Sequence, residues 1–265
     1  MTPLSPEQVA AVRELQALCK NLGVEVVIIG AIAYRIWMQD WSRHTEDVDA
    51  AVALDLDDFP RLTTLLQEHR WTQDLRREHR WNAAEGGRLD LLPAGPGLRQ
   101  QQQLEWPISG MKMSLVGFEH VFSKAVEYRI TSDLTAKVIP LPVLVLLKIV
   151  AYRDNPYQRE KDIEDLGAIM TRYEPLEALR FSDEVLDLGL EYETVGAYWV
   201  GKDLGVLCSA DERALVDGLL AELHDERSRA FSIFAHCLRG QMDRETAARA
   251  HSLIKVFAQG LRVKR

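Results

Sequence analysis

The stretch RHTEDVDAAV, residues 43–52, constrains this chain most. Its small apolar tail suits a short strand, and along a strand side chains alternate between faces. Asp47 and Asp49 then share one face, while Val48 points to the other. Two carboxylates side by side repel. Either water screens them or a cation sits between them.

The flanking sequence sets out the elements around this strand. SPEQVAAVRELQALCKNLG reads as a helix capped by Ser5, with Pro6 in its first turn, Gln8 completing a capping box and Gly23 as its stop. GVEVVIIG is a β-branched run, a buried strand ended by Gly30. AIAYRIWMQDW follows as a helix with Ala31, Tyr34, Ile36 and Met38 among its packing candidates; Trp37 and Trp41 form an i,i+4 pair. DVDAAVAL is the second strand and FPRLTTLLQEHRW the next helix. WTQDLRR and HRWNAAEGGRLDLLPAG form a β-hairpin region turning at Glu85-Gly86-Gly87. Asp90 sits on the returning strand, on the face opposite Leu89 and Leu91. The glutamines at 100–103 read as loop. MSLVGF is a short strand, FEHVFSKAVEY a helix and AKVIPL one more strand. From Leu141 the pattern is helical nearly to the end. The fold class is therefore α+β: a mixed sheet flanked by helices over residues 1–140, then an all-helical domain over 141–265.

Composition narrows the function. The 265 residues are 47% hydrophobic and 27% charged, as in ordinary globular proteins. A net charge of -8 argues against coating nucleic acid through bulk charge, though not against a local basic groove. The three cysteines, Cys19, Cys208 and Cys237, are far apart and odd in number, which suggests incidental thiols in a reduced cytoplasmic protein. The first residues lack the basic flank and apolar core of a signal peptide. The run IPLPVLVLLKIVAY is broken by prolines and Lys148 and is too short to span a bilayer, so no membrane partner is expected.

The order is now strand, Gly30-Ala31, helix, Arg43-x-Thr45-x-Asp47-x-Asp49 on a strand, and Asp90 on a later strand. A helix opening after a small-residue turn presents free N–H groups and a positive dipole end, which suit phosphate. Paired carboxylates suit Mg²⁺. This combination, in IIGAIAYRIW, RHTEDVDAAV and RLDLLP, resembles the nucleotidyltransferase superfamily of the polymerase-β type. The Arg-x-Thr-x-Asp-x-Asp form resembles the branch of AbiEii-like abortive-infection toxins. LLKIVAYRDNPYQREKDIEDL is similar to that branch's helical motif, with Lys148, Arg153, Lys161, Asp162, Asp165 and Leu166 in matching order. The resemblance spans roughly residues 20 to 170 and leaves 171–265 without a role.

The resemblance implies a Mg²⁺-dependent transfer of a nucleoside monophosphate from an NTP to a hydroxyl, with two ions and Mn²⁺ as a substitute. Asp47, Asp49 and Asp90 would hold the metal, and Asp90 would help activate the acceptor hydroxyl. Gly30 and Ala31 would present backbone to the triphosphate. Arg43 and Thr45 would brace the loop or touch phosphate. Lys148 would pair with phosphates, Arg153 would face the same cleft between the two domains, and Asp162, with Asp165 as the alternative, would orient Lys148 or the acceptor. The acceptor would be an RNA 3′ end (tRNA-like) or a protein, and a cognate antitoxin would be a partner. Arg76, Arg77, Arg80, Arg88, Lys112 and Lys124 are candidates for an RNA-facing basic patch, or simply solubilise the surface.

Plainer readings stand beside these. Asp-x-Asp at a strand end is common as a solvated edge. Lys148 can snorkel from an apolar helix. Asp162 and Asp165 can be a solvated face or favourable charges at a helix N-terminus. His44 has no role in the resemblance and is expected to be exposed. Ala31 departs from the glycine or serine of the family turn, which favours a runner-up function, a non-catalytic nucleotide- or partner-binding member. A small-molecule (antibiotic-type) nucleotidyltransferase is the third reading.

Overall fold

The computed structural model describes residues 2–40, 42–174, 177–238 and 244–263. The expected Trp37–Trp41 pair therefore lies outside the described residues; Trp37 itself donates its Nε1–H to the Ile139 carbonyl at 2.7 Å. The chain divides into two compact units, Met1–Pro140 and Leu141–Arg265.

The first unit carries a seven-stranded mixed sheet. Its elements are α1 (Pro6–Asn21), β1 (Val26–Ile28), α2 (Gly30–Met38), β2 (Asp47–Val52), α3 (Phe59–Glu68), β3 (Thr72–Gln73), β4 (Arg80–Asn82), β5 (Arg88–Pro93), α4 (Pro96–Gln101), β6 (Gln103–Glu105), β7 (Lys112–Ser114), α5 (Phe118–Ser123), β8 (Val126–Arg129) and β9 (Thr135–Val138). The strand order is β3-β4-β5-β2-β1-β9-β8, and β6 pairs with β7 in a small separate sheet. Ser5 and Gln8 close the capping box that starts α1. The Gln8 amide also donates to the Glu46 carbonyl at 3.1 Å, fastening the start of α1 to the loop before β2. The face of β2 and β5 away from the aspartates is apolar. Val48, Ala50 and Leu89 are buried there beside Val12 and Leu15 of α1.

Two expectations need correction here. The helix expected over FEHVFSKAVEY stops at Ser123, and Val126–Arg129 is strand β8, antiparallel to β9. Ladder pairing with β9, whose residues alternate between exposed and buried, outweighs local helix preference there. The glutamine run is not all loop. Gln100 and Gln101 end α4, Gln102 adopts a positive φ of 54° as its cap, and Gln103 begins β6. The helix that was not expected, α4, gets its cap from a distance: the Asp55 carboxylate accepts from the N–H groups of Gly97 and Leu98 at 3.1 and 2.8 Å.

Among its described residues the second unit is helical throughout. It contains α6 (Leu141–Asp154), α7 (Glu160–Arg172), α8 (Asp183–Asp187), α9 (Val195–Leu207), α10 (Ala210–His224), α11 (Arg229–Cys237) and α12 (Arg244–Leu261), with two short 3₁₀ turns. Helices α9 and α12 meet along a glycine seam. A Cβ at Gly201 would stand 2.3 Å from the Phe257 carbonyl oxygen, and one at Gly260 would stand 2.0 Å from that of Tyr198.

Candidate active site

Strand pairing gathers the three aspartates. In the parallel β2–β5 ladder Asp47 lies opposite Arg88, and Asp49 lies opposite Asp90. Neighbours in register share a face, so Asp47, Asp49 and Asp90 project together. The hairpin partner β4 adds one residue to that face, because Arg80 lies opposite Asp90.

Arg80 is the cation that the crowded carboxylates require. Its Nε donates to Asp90 Oδ1 at 2.8 Å, and its Nη2 donates to Asp90 Oδ2 at 2.8 Å and to Asp47 Oδ2 at 2.5 Å. Arg88 holds the other oxygen of Asp47 through its Nε and reaches Glu46 Oε2 through Nη2 at 2.5 Å. His79 Nε2 stands 3.7 Å from Asp90 Oδ2. Hydrogen bonding to Asp90 holds the Arg80 guanidinium still more firmly protonated than usual, and hydrogen bonding to Asp47 does the same for Arg88. In the sequence these two residues are candidates for a basic outer patch or for plain surface solubility. Arg80 is instead only 8% exposed and Arg88 half-buried. Lys112 is exposed but pairs with Glu105 at 3.2 Å.

Gly30 opens α2 with φ +65°, and a Cβ there would stand 2.1 Å from Asp49 Oδ2. The glycine lets the backbone come up to the carboxylate. The adjoining Ile29 N–H donates to the Asp49 carbonyl at 2.9 Å, fixing this turn to β2. Ala31 is the next residue of the helix and is half-buried. Thr45 braces the loop, its hydroxyl donating to the Asp47 carbonyl at 3.0 Å. Arg43 donates to the His44 carbonyl at 3.3 Å, and His44 is exposed. A cavity of about 610 Å³ opens before β2, lined by Gln8, Arg35, His44, Thr45, Glu46 and Arg88; the three aspartates do not line it.

The donor set has the chemistry of a Mg²⁺ site, since hard carboxylate oxygens on one face are what this ion takes. Among the described residues, however, no group of three His, Cys, Asp or Glu side chains stands ready to hold a metal ion. The guanidinium groups of Arg80 and Arg88 contact the oxygens of Asp47 and Asp90 instead.

In the second unit Lys148 is buried between two acids. Its Nζ donates to Asp162 Oδ1 at 2.8 Å and to Asp165 Oδ2 at 2.7 Å. Burial disfavours its charge, but the two carboxylates more than offset this and hold its pKa above the ordinary lysine value. The structure thus brings Asp162 and Asp165 together on Lys148. A lysine held by two acids at 6% exposure is not the mobile point charge expected for phosphate. Asp162 Oδ2 is buried with no hydrogen-bond donor among the described residues. Arg153, expected to turn with Lys148 toward nucleotide, pairs with Glu222 of α10. Tyr152 is buried.

A protein-family model described as "Nucleotidyl transferase AbiEii toxin, Type IV TA system" matches residues 15–250. The chain belongs to this family. Solved structures similar to it include an antigenic nucleotidyltransferase-like protein from Paracoccidioides brasiliensis, 16% identical, covering 87% of this chain and 93% of that one at a TM-score of 0.46. The antibiotic-resistance factor ANT(2″)-Ia is 12% identical over 83% of this chain and 99% of that one, at a TM-score of 0.42. No curated protein sequence matches. The chain is thus a transferase of the nucleotidyltransferase type in an AbiEii toxin family. Among the described residues no helix is long and apolar enough to cross a membrane.

Proposed function

We propose that this chain moves a nucleoside monophosphate from an NTP to a hydroxyl on RNA or protein, with release of pyrophosphate. One observation carries the reading: Asp49 and Asp90 are register partners, with Asp47 on the same face, directly against the glycine that opens α2. A divalent ion held by Asp47, Asp49 and Asp90 would supply positive charge to the triphosphate. The chain's own part is to place those carboxylates, to offer the first N–H groups of α2 to phosphate, and to let Asp90 accept the acceptor's proton. Lys148, held by Asp162 and Asp165, ties α6 to α7 in this reading. Membership of a toxin–antitoxin family supports a cognate antitoxin as partner.

The arginine contacts on Asp47 and Asp90 favour a second reading, a non-catalytic nucleotide-binding member. The two separate in one experiment. Wild type and Asp49→Asn are incubated with each α-³²P-labelled NTP, Mg²⁺ and total bacterial RNA. Transfer to tRNA-sized RNA or to the protein, reduced about 100-fold or more in Asp49→Asn, supports the enzyme. Nucleotide binding by calorimetry without transfer from any NTP supports the binding member. Undiminished transfer by folded Asp49→Asn removes the assigned site.

A further inference from the structure

We infer that Arg80 is an exchangeable internal cation, which presets the carboxylate cluster and yields Asp47 and Asp90 to a divalent ion. This rests on the function proposed above and names the residue that sets the ion's affinity. Arg80 does more than neutralise a neighbour. One guanidinium bridges two carboxylates from different strands through three hydrogen bonds of 2.5 to 2.8 Å. With Arg88 on Asp47 Oδ1, all four carboxylate oxygens of Asp47 and Asp90 accept from a guanidinium.

An ion coordinated by those oxygens would stand against the guanidinium, with like charges in contact. The bridge and the ion therefore exclude one another at Asp47 and Asp90. Removing a buried counter-charge without replacement is costly. The cluster therefore keeps Arg80 in the absence of an ion and releases it when a stronger cation arrives. The planar fork spans both acids at once, which a lysine ammonium does not do.

The test measures Mn²⁺ binding without nucleotide, by the electron paramagnetic resonance of the free ion, on wild type, Arg80→Gln and Arg80→Lys. Exchange predicts that Arg80→Gln binds Mn²⁺ about ten-fold tighter than wild type, within the usual range of coupling between competing ligands. Arg80→Lys falls between them. Mn²⁺ also raises the Tm of Arg80→Gln more than that of wild type, since the ion replaces the missing charge. Should Arg80→Gln fail to fold, the wild type answers alone: the ¹⁵N-arginine Nε–H signal of Arg80 shifts and loses exchange protection at saturating Mg²⁺. Equal or weaker Mn²⁺ binding by Arg80→Gln, or an Arg80 signal unmoved by Mg²⁺, overturns exchange while leaving the proposed function standing. Absence of Mn²⁺ binding by every form, with and without a non-hydrolysable NTP analogue, overturns the proposed function and exchange with it.

Discussion

At Gly30 the backbone lies so close to Asp49 that one added methyl group meets the carboxylate. Its positive φ of 65° adds a second cost for any side chain. Gly30→Ala is therefore expected to lower stability by about 1–3 kcal/mol through overpacking and strain. Because the methyl displaces Asp49, transfer falls by more than that loss of folded protein explains, about ten-fold or more. Urea unfolding and single-turnover transfer measured side by side check this; a stable variant with full transfer removes Asp49 from the site. The residues of this cluster were legible in part. Gly30, Asp47, Asp49 and Asp90 follow from alternation and order. Arg80 and Arg88 read as surface residues from their type alone, although each stands beside an apolar residue that the structure buries, Trp81 and Leu89. Yet the hairpin held the correction. A turn at Glu85-Gly86-Gly87 already sets Arg80, Asn82 and Asp90 on one face; the ladder is centred one residue earlier, at Glu85, and so places Arg80 directly opposite Asp90.

Elements show which signals are local. The capping box of α1 and the alternating faces of β2 and β5 lie within a few residues and were readable. Helix α4 was not, because its cap comes from Asp55, 42 residues before Gly97. Strand β8 was missed for the same reason, since its partner β9 decides it. The α6–α7 tie is similarly non-local. Lys148 stands within one apolar helix and its acids within the next. Lys148→Met strands two buried carboxylates and is expected to cost about 3–5 kcal/mol at pH 8. Adding Asp162→Asn and Asp165→Asn recovers part of that. The pH dependence follows from the raised pKa of Lys148. Its contribution is complete below the ordinary value of 10.5 and is lost as pH climbs through the higher folded value. The stability gap between wild type and Lys148→Met thus narrows above pH 10.5, the reverse of what an acid-side group would give. Denaturant titrations at pH 8 and pH 11 decide the matter.

Charge is a property of the whole molecule, and it limits how an RNA acceptor would be held. The net charge is -8. Of the six basic residues first considered for an RNA-facing patch, Arg80 and Arg88 are drawn into the aspartate cluster and Lys112 is paired with Glu105. Arg76, Arg77 and Lys124 stay exposed. Each phosphate neutralised on a single strand contributes about -0.7 to the slope of log K against log salt. Three such contacts give a slope of about -2, much shallower than that of a protein gripping RNA through bulk charge. With RNA as the acceptor, recognition then rests on placing one 3′-hydroxyl at the carboxylate face. Binding is weak, and catalysis is tolerant of salt. Fluorescence anisotropy of a tRNA-sized RNA between 50 and 200 mM salt reads the slope directly. A shallow slope that Arg76→Ala/Arg77→Ala flattens further fits these three contacts. A slope steeper than about -5 means that a broader cationic surface holds the RNA, and that the acidic total hides a grip which the first unit's arginines do not explain.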